Sequence, residues 1–450
     1  MNTVSLEEVG LTGTRRTIAV ACVLAALVLV VLDAAIANVA LPAIAGSLGV
    51  TPALSVRVVT AYQLALVMAL LPMAALGESV GHRRVYTGGV ALFVAASAAC
   101  ALAPSLDWLL VARFAQGLGG AAIMALGLAL LRSIVEPREL GVAVGWNALA
   151  VALGAAAGPT VGALVLSGAG WRWLFAVNLP LGALVLLATR ALPDLTGSAR
   201  AIDLRSVALH AGAFAALVVG AELLVEDPRL GALLLAAAAL GLVALVRREA
   251  PRKAPLIPLD LLRDRSFRLS VIASVTCFVG QSATMLALPF YLHHHLHESA
   301  LATGLLMTPW PLTVAVVAPL AGKLSERVSS AALCAIGGVL LGIGLASAAL
   351  VPLQGRPFAL VPFLVVSGAG FGLFQVSNNR NMLLSAPRER SGAAGGMQAT
   401  ARLTGQTLGA LGMTLLFALT SIERAPRLGL MLAAALTLTA GLVSTLRGHG

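Results

Sequence analysis

Hydrophobic positions in this chain run in long unbroken stretches instead of alternating with polar ones. The stretches cover approximately residues 17–41, 53–76, 85–103, 106–131, 141–166, 172–192, 203–224, 229–247, 268–292, 301–321, 331–350, 357–378, 393–419 and 427–446, with short polar gaps between them. Each is close to the about 20 residues a helix needs to cross a hydrocarbon core about 30 Å thick. The pattern therefore predicts fourteen transmembrane helices. The alternating segments of about ten residues that mark a membrane β-barrel are missing. Ala35-Ile36-Ala37 in the first stretch has the form of a signal-peptidase site, but the apolar run is longer than the usual 7–15 or so residues. We read it as a retained helix.

Composition agrees with that reading. Of 450 residues, 59% are hydrophobic and 11% charged, against about 45–50% and about 25% in an average soluble domain. Little chain is left for an aqueous domain, which excludes soluble enzymes. The formal charge of +11 comes from Lys and Arg concentrated in the gaps. With the amino terminus in the cytoplasm, 22 of the 30 basic residues lie inside. Six lie outside (Arg57, Arg172, Arg229, Arg356, Arg424 and Arg427), and Arg113 and Arg402 lie within spans. The positive-inside rule then puts both termini in the cytoplasm, and the basic charge reports topology, not a nucleic-acid partner. Cys22, Cys100, Cys277 and Cys334 fall in four different spans without C-x-x-C pairing, so they read as small packing residues with no metal bound. The gap from Arg247 to Arg268, with Pro251, Pro255 and Pro258, reads as a cytoplasmic linker.

Two internal matches show a repeat. Residues 74–80 (AALGESV) align with residues 322–328 (GKLSERV) at an offset of 248, pairing Leu76, Glu78 and Val80 with Leu324, Glu326 and Val328. At an offset of 251, Gly141, Gly145, Gly154 and Gly158 fall on Gly392, Gly396, Gly405 and Gly409, and both runs follow Pro-Arg-Glu (Pro137–Glu139 and Pro387–Glu389). The second span thus corresponds to the tenth and the fifth to the thirteenth. The expected organisation is a six-helix bundle over 1–195, an inserted pair of helices with a linker over 196–265, and a second six-helix bundle over 266–450.

Four motifs in the expected order make the chain resemble the major facilitator superfamily, in particular its fourteen-helix drug:proton antiporter branch. The first span ends in Leu32-Asp33-Ala34-Ala35-Ile36-Ala37-Asn38-Val39-Ala40-Leu41-Pro42, close to the branch pattern L-D-x-T-I-V-N-V-A-L-P. The fourth holds Arg113-Phe114-Ala115-Gln116-Gly117-Leu118-Gly119-Gly120, like the family's R-x-x-Q-G-x-G. The fifth holds Gly154, Gly158, Pro159 and Gly162, like the exporter pattern G-x-x-x-G-P-x-x-G. The loop after the second span, with Glu78, Gly81, Arg83 and Arg84, is similar to the family's gating loop, although Ala74, Glu78 and Ser79 replace its Gly, Asp and Arg. Its copy retains Gly322, Glu326 and Arg327. The resemblance implies an all-α major facilitator fold, no cofactor, and proton-coupled efflux of drug-like compounds across the bacterial cytoplasmic membrane by a multi-pass monomer. The alternative is efflux of one metabolite such as an amino acid, a sugar or a siderophore.

The same residues carry a physical argument. An ionisable group inside a span costs about 2.5–3.5 kcal/mol on insertion scales and is by default a functional hypothesis. At 1.5 Å per residue, Asp33 and Arg113 reach similar depths, about 12 and about 10 Å from the outer ends of their helices. Three roles stay open for Asp33: a structural ion pair with Arg113, binding and release of a proton adjusted by Arg113, and direct contact with a cationic substrate. Arg402, flanked by Gln398 and Gln406 at helical spacing, faces a cavity or a neighbouring helix. Tyr62, Gln63, Gln116, Asn178 and Gln281 complete the candidate cavity. The glycines of the fifth span are expected to form a close-packed switching face, which Pro159 lets bend. His293, His294, His295 and His297 suit a solvated loop or, alternatively, a pH-sensing or metal-binding gate. There is no nucleotide-binding G-x-x-x-x-G-K-[ST] loop, so a gradient and not ATP must supply the energy.

Overall fold

A computed structural model describes residues 11–136, 139–194, 203–250, 259–325, 327–351, 356–387 and 391–447. Among these the regular structure is entirely helical. In chain order the helices are α1 (Gly13–Leu48), α2 (Pro52–Val80), α3 (His82–Ala101), α4 (Leu106–Ile134), α5 (Leu140–Ala169), α6 (Trp171–Ala176), α7 (Asn178–Ala188), α8 (Leu204–Glu226) and α9 (Pro228–Glu249). They continue as α10 (Arg265–Phe290), α11 (Ala300–Met307), α12 (Pro309–Leu324), α13 (Ser330–Leu350), α14 (Leu360–Leu384), α15 (Ser391–Leu419) and α16 (Ala425–Thr445). The sixth expected span is α6 and α7, broken at Val177, and the tenth is α11 and α12, broken at Thr308 before Pro309. A proline at the first helical position removes a donor and restricts the residue before it, so a new helix starts there.

Among the described residues, thirteen segments are long and apolar enough to cross a membrane. The remaining crossing, α15, has 29 residues, and Gln398, Arg402, Thr404 and Gln406 lower its apolar content. The helices present Val111, Leu184, Leu233, Leu240, Val316 and Leu442 on the outer surface. Such apolar exposure suits lipid, where helices satisfy their own backbone hydrogen bonds.

Polar side chains mark where the rods begin. Thr51, Ser105, Asp227, Asp264, Ser299 and Ser329 each accept a hydrogen bond from a backbone N–H three residues on. Two reversals use glycine with positive φ: Gly81 (φ 112°) joins α2 to α3 and Gly170 (φ 86°) joins α5 to α6.

α1 to α7 pack on one another, as do α10 to α16, with pairings that correspond in the two halves: α1 with α5 and α10 with α15, α2 with α4 and α12 with α14, α3 with α4 and α13 with α14. The glycines show how close the correspondence is. A Cβ on Gly119 of α4 would sit 2.6 Å from the Gly89 carbonyl of α3 and 2.7 Å from the Phe93 nitrogen. A Cβ on Gly370 of α14 would sit 2.6 Å from the Gly337 carbonyl of α13 and closer still to the Leu341 nitrogen. Small residues let membrane helices meet backbone to backbone.

The two halves touch along α2 with α15 and along α5 with α11 and α12. One apolar core joins Ile36–Ile44 of α1, Trp171 and Phe175 of α6, and Leu286–Leu292, Met307 and Trp310 of the second half. This core lies at the end remote from the chain termini. The terminal end of the second half has its own small core of Leu261, Phe267, Met382, Ala386, Ala394 and Met397. Thus the halves share a core at the far end, and the core of the first half also takes in Leu403 and Leu411 of α15.

The inserted pair α8 and α9 packs together, and α8 leans on α2 and α15. Arg57 of α2 reaches Glu226 (3.0 Å) and Glu222 (3.4 Å) of α8, and Thr60 donates to Glu222 at 3.0 Å. Deeper in, His210 Nε2 lies 3.0 Å from the Val67 carbonyl, with its ring against Phe214.

Candidate functional site

The site begins with the packing of α4. A Cβ on Gly117 would lie 2.5 Å from the Tyr62 carbonyl, so glycine there lets α4 approach the backbone of α2. Arg113 and Gln116, on the preceding turn, then project into the space enclosed by α1, α2, α3 and α7. The break at Val177 places Asn178 at the start of α7.

Arg113 Nη1 donates to Asp33 Oδ2 at 2.6 Å, with both side chains almost wholly buried. Gln116 Nε2 and Asn178 Nδ2 donate to Asp33 Oδ1 at 2.9 and 2.6 Å. Arg113 also donates to Gln116 Oε1 at 2.6 Å and, through Nε, to the Val58 carbonyl at 3.2 Å. Gln116 Nε2 reaches Ser97 Oγ at 2.8 Å. The guanidinium lies over the Tyr62 ring, 4.2 Å from its centroid, and 5.5 Å from that of Phe175. A carboxylate in low dielectric is tolerable when its charge is matched and its lone pairs are taken by donors. Here one cation and two amides perform that role. Arg113 Nη2 and Asn178 Oδ1 have no partner among the described residues. The arrangement can hold a charge inside the helix bundle and has spare hydrogen-bonding capacity beside it.

The structure thus brings Asp33 and Arg113 into contact, and it draws in three residues expected at the cavity: Tyr62, Gln116 and Asn178 belong to this buried network. Sequence reasoning missed Ser97, Cys100 and Phe175. Ser97 is the one hydroxyl in an alanine-rich part of α3, which was a legible signal. Cys100, read as packing, also has its Sγ 3.8 Å from Gln116 Oε1.

Arg402 lies elsewhere, half-buried on α15 and within electrostatic reach of Tyr62. Gln398 and Gln406 flank it at four-residue spacing and are likewise half-buried. Gln63 Oε1 and Gln281 Oε1 are buried without partners among the described residues.

The glycines of α5 face α1 of their own half and not the opposite half. Gly154 meets Val28 and Val31, Gly158 would drive a Cβ into the Ala35 side chain, and Gly162 meets Ile36. Their copies do the same: Gly405 meets Val275 and Gly409 meets Ser282 on α10. The adjoining face of α5 forms the contact between halves, where a Cβ on Gly304 of α11 would collide with Ala163 and the Pro159 carbonyl. Thr160 and Thr308 share a 2.6 Å hydrogen bond there.

At the terminal end, Glu78, Gly81, Arg83 and Arg84 surround the turn from α2 to α3. Arg83 donates to the Arg190 carbonyl after α7 at 3.4 Å, so this loop holds its own half together. Gly322 has open space around it, Arg327 closes a backbone turn onto Leu324, and Glu326 lies outside the described residues. Arg16 and Glu139 form an ion pair between α1 and α5. In the histidine cluster, His294 stacks on Phe290 and His295 on Tyr291 within a π-helical turn, Tyr291–His295.

Comparison with known proteins agrees with the geometry. The chain is 44% identical over 93% of its length, and 92% of the relative's, to the uncharacterized transporter YebQ of Escherichia coli. It is 35% identical over 85% of its length, and 72% of the relative's, to the multidrug resistance protein Stp of Mycobacterium tuberculosis. The fold matches the crystal structure of peptide transporter POT in complex with sulfate, with a TM-score of 0.73 at 15% identity over 95% of this chain and 94% of that one. A family profile described as Major Facilitator Superfamily covers residues 23–410. The chain therefore belongs to the major facilitator superfamily and is a multi-pass membrane transporter, not an enzyme.

Proposed function

We propose that this transporter exports amphipathic, drug-like compounds from the cytoplasm in exchange for protons, with α1–α7 and α10–α16 as the two moving units. The observation that carries the reading is Asp33: a buried carboxylate inside the span of α1, held by Arg113, Gln116 and Asn178. Buried ionisable groups facing a bundle interior are the usual means of moving protons through membranes. A proton arriving on Asp33 removes the charge that holds Arg113, so the same site can report its protonation to α2 and α4. Alternating access by rocking of two repeats about a central site suits two halves that share a core at the far end. The multidrug resistance relative supports the substrate class. The basic gaps support cytoplasmic termini in a bacterial inner membrane, and a complete pair of bundles in one chain supports action as a monomer.

The test is transport by purified protein in proteoliposomes under an imposed pH gradient, with cationic, neutral and anionic amphiphiles as substrates. Wild-type protein is expected to move at least one class against its gradient and to dissipate the proton gradient as it does so. Asp33→Asn is expected to lose the gradient-driven component. Uphill transport at the wild-type rate by that variant rejects Asp33 as the coupling group.

A further inference from the structure

The charges within the described spans do not balance, and the surplus has a definite place. Asp33 is matched by Arg113 and two amides, and Glu222 by Arg57. Arg402 has no hydrogen bond or ion pair within the described residues. It stands about two-fifths of the way along α15, a helix that packs on α10 within its own half and on α2 of the opposite half. Gly405 and Gly409 face α10, while Ala399 and Leu403 join the apolar core of the first half. At 100° per residue, Gln398, Arg402 and Gln406 fall in the sector between those two contacts. A guanidinium so placed faces the space where the halves meet, with amide groups a turn away on either side. Tyr62, whose hydroxyl has no partner among the described residues, is near enough across the seam to feel its charge.

An arginine in a membrane span persists where it is paired or lines a polar cavity. Its rigid fork of donors matches carboxylate geometry and repels a cation. The position corresponding to Arg402 in the first half, at the offset of 251 that relates the glycines, is Val151. The charge therefore belongs to one half alone and is not needed to build the repeated scaffold.

We propose that Arg402 is the anion-binding element of the substrate site, and that the transported compounds carry a carboxylate or comparable anionic group on an apolar body. Arg402 takes the anionic group, Gln398 and Gln406 accept or donate the remaining hydrogen bonds, and the apolar body lies along the seam between α2 and α15. This rests on the export reading and narrows its substrate class.

The experiment uses three probes with one apolar body: pyrenebutyrate, its methyl ester, and pyrenebutyl-trimethylammonium. Binding to the purified full-length protein is measured by fluorescence in vesicles of phosphatidylcholine, with and without phosphatidylglycerol. Wild-type protein is expected to bind the acid at least tenfold more tightly than the ester, and the cation most weakly. Arg402→Gln is expected to bring acid and ester to parity while the ester's Kd stays within twofold of wild type, which certifies an intact site. Arg402→Lys is expected to keep part of the preference. The order of the three probes on wild-type protein needs no variant, so loss of the Gln variant to misfolding leaves the test standing. Equal binding of acid and ester, failure of the acid to bind, or a preference that survives Arg402→Gln overturns the proposal. So does acid binding that vanishes when phosphatidylglycerol is present, which would assign Arg402 to a lipid headgroup. Transport of the same probes under a pH gradient separates the two readings. Proton-driven flux without acid preference leaves export standing and rejects the anion site, whereas acid-selective binding without proton-driven flux does the reverse.

Discussion

Thr160 of α5 and Thr308, at the break between α11 and α12, share a 2.6 Å hydrogen bond that fastens one half of the transporter to the other. Around it the fit is made by small groups, Gly304 lying against Ala163 and the Pro159 carbonyl. A hydrogen bond between membrane helices contributes about 0.6 kcal/mol on average and at most about 1.7. Thr160→Val with Thr308→Val keeps the shape and removes the bond. The double variant is expected to raise the labelling rate of a cysteine placed at the far end of α5 by about threefold, measured with a membrane-impermeant maleimide.

Gly158 of α5 and Gly304 of α11, at contacts on two different faces of α5, predict different failures. Gly158 packs on Ala35 within one half, so Gly158→Leu overfills the contact between α1 and α5. Overpacking costs about 1–3 kcal/mol, and the expected result is a lower melting temperature in detergent. Gly304→Leu overfills the contact between halves. Its melting temperature is expected to stay close to wild type while far-end accessibility rises. Equal destabilisation by both would contradict the placement.

Removing one member of a buried ion pair costs about 3–5 kcal/mol, because the other charge is left uncompensated. Arg113→Ala is therefore expected to destabilise the protein more than Arg113→Lys, and Asp33→Asn with Arg113→Gln is expected to recover stability relative to Asp33→Asn alone. Thermal unfolding of the four variants checks the order. Transport should not recover in the double variant, which separates the structural role of the pair from coupling.

Arg57→Ala leaves Glu222, which is largely buried, without its counter-charge. A partly exposed pair of this kind is worth about 1 kcal/mol. The expected effect is local: hydrogen exchange should accelerate in the far-end turns of α8 and α2, while protection around Asp33 is unchanged.

The order and lengths of the crossings were legible because lipid leaves helices few alternatives. The repeat was legible through glycines, whose spacing survives when apolar residues drift. The Asp33 to Arg113 contact followed from depth and charge. The face presented by the α5 glycines was not legible, since a stripe of small residues says that a backbone comes close without saying whose. Tyr62, Gln116 and Asn178 were assigned to the cavity for their polarity, but polarity alone does not separate a side chain that meets substrate from one that satisfies Asp33. The two halves also differ where their skeletons agree. Val28 and Ala35 of α1 correspond through their glycine contacts to Val275 and Ser282 of α10, which puts Gly280 at the place of Asp33. Leu364 stands at that of Arg113, at the offset relating Gly119 to Gly370.

Because α8 is bonded to α2 through Arg57 and His210 but meets α15 through apolar contact, its two neighbours hold it differently. If the halves rock as proposed, α8 and α9 would travel with α2, and α15 would slide along α8 as along a rail. The pair then works as a sideboard across one flank of the seam. A compound dissolved in the bilayer would find that flank walled off and would have to enter from the opposite flank or from the water.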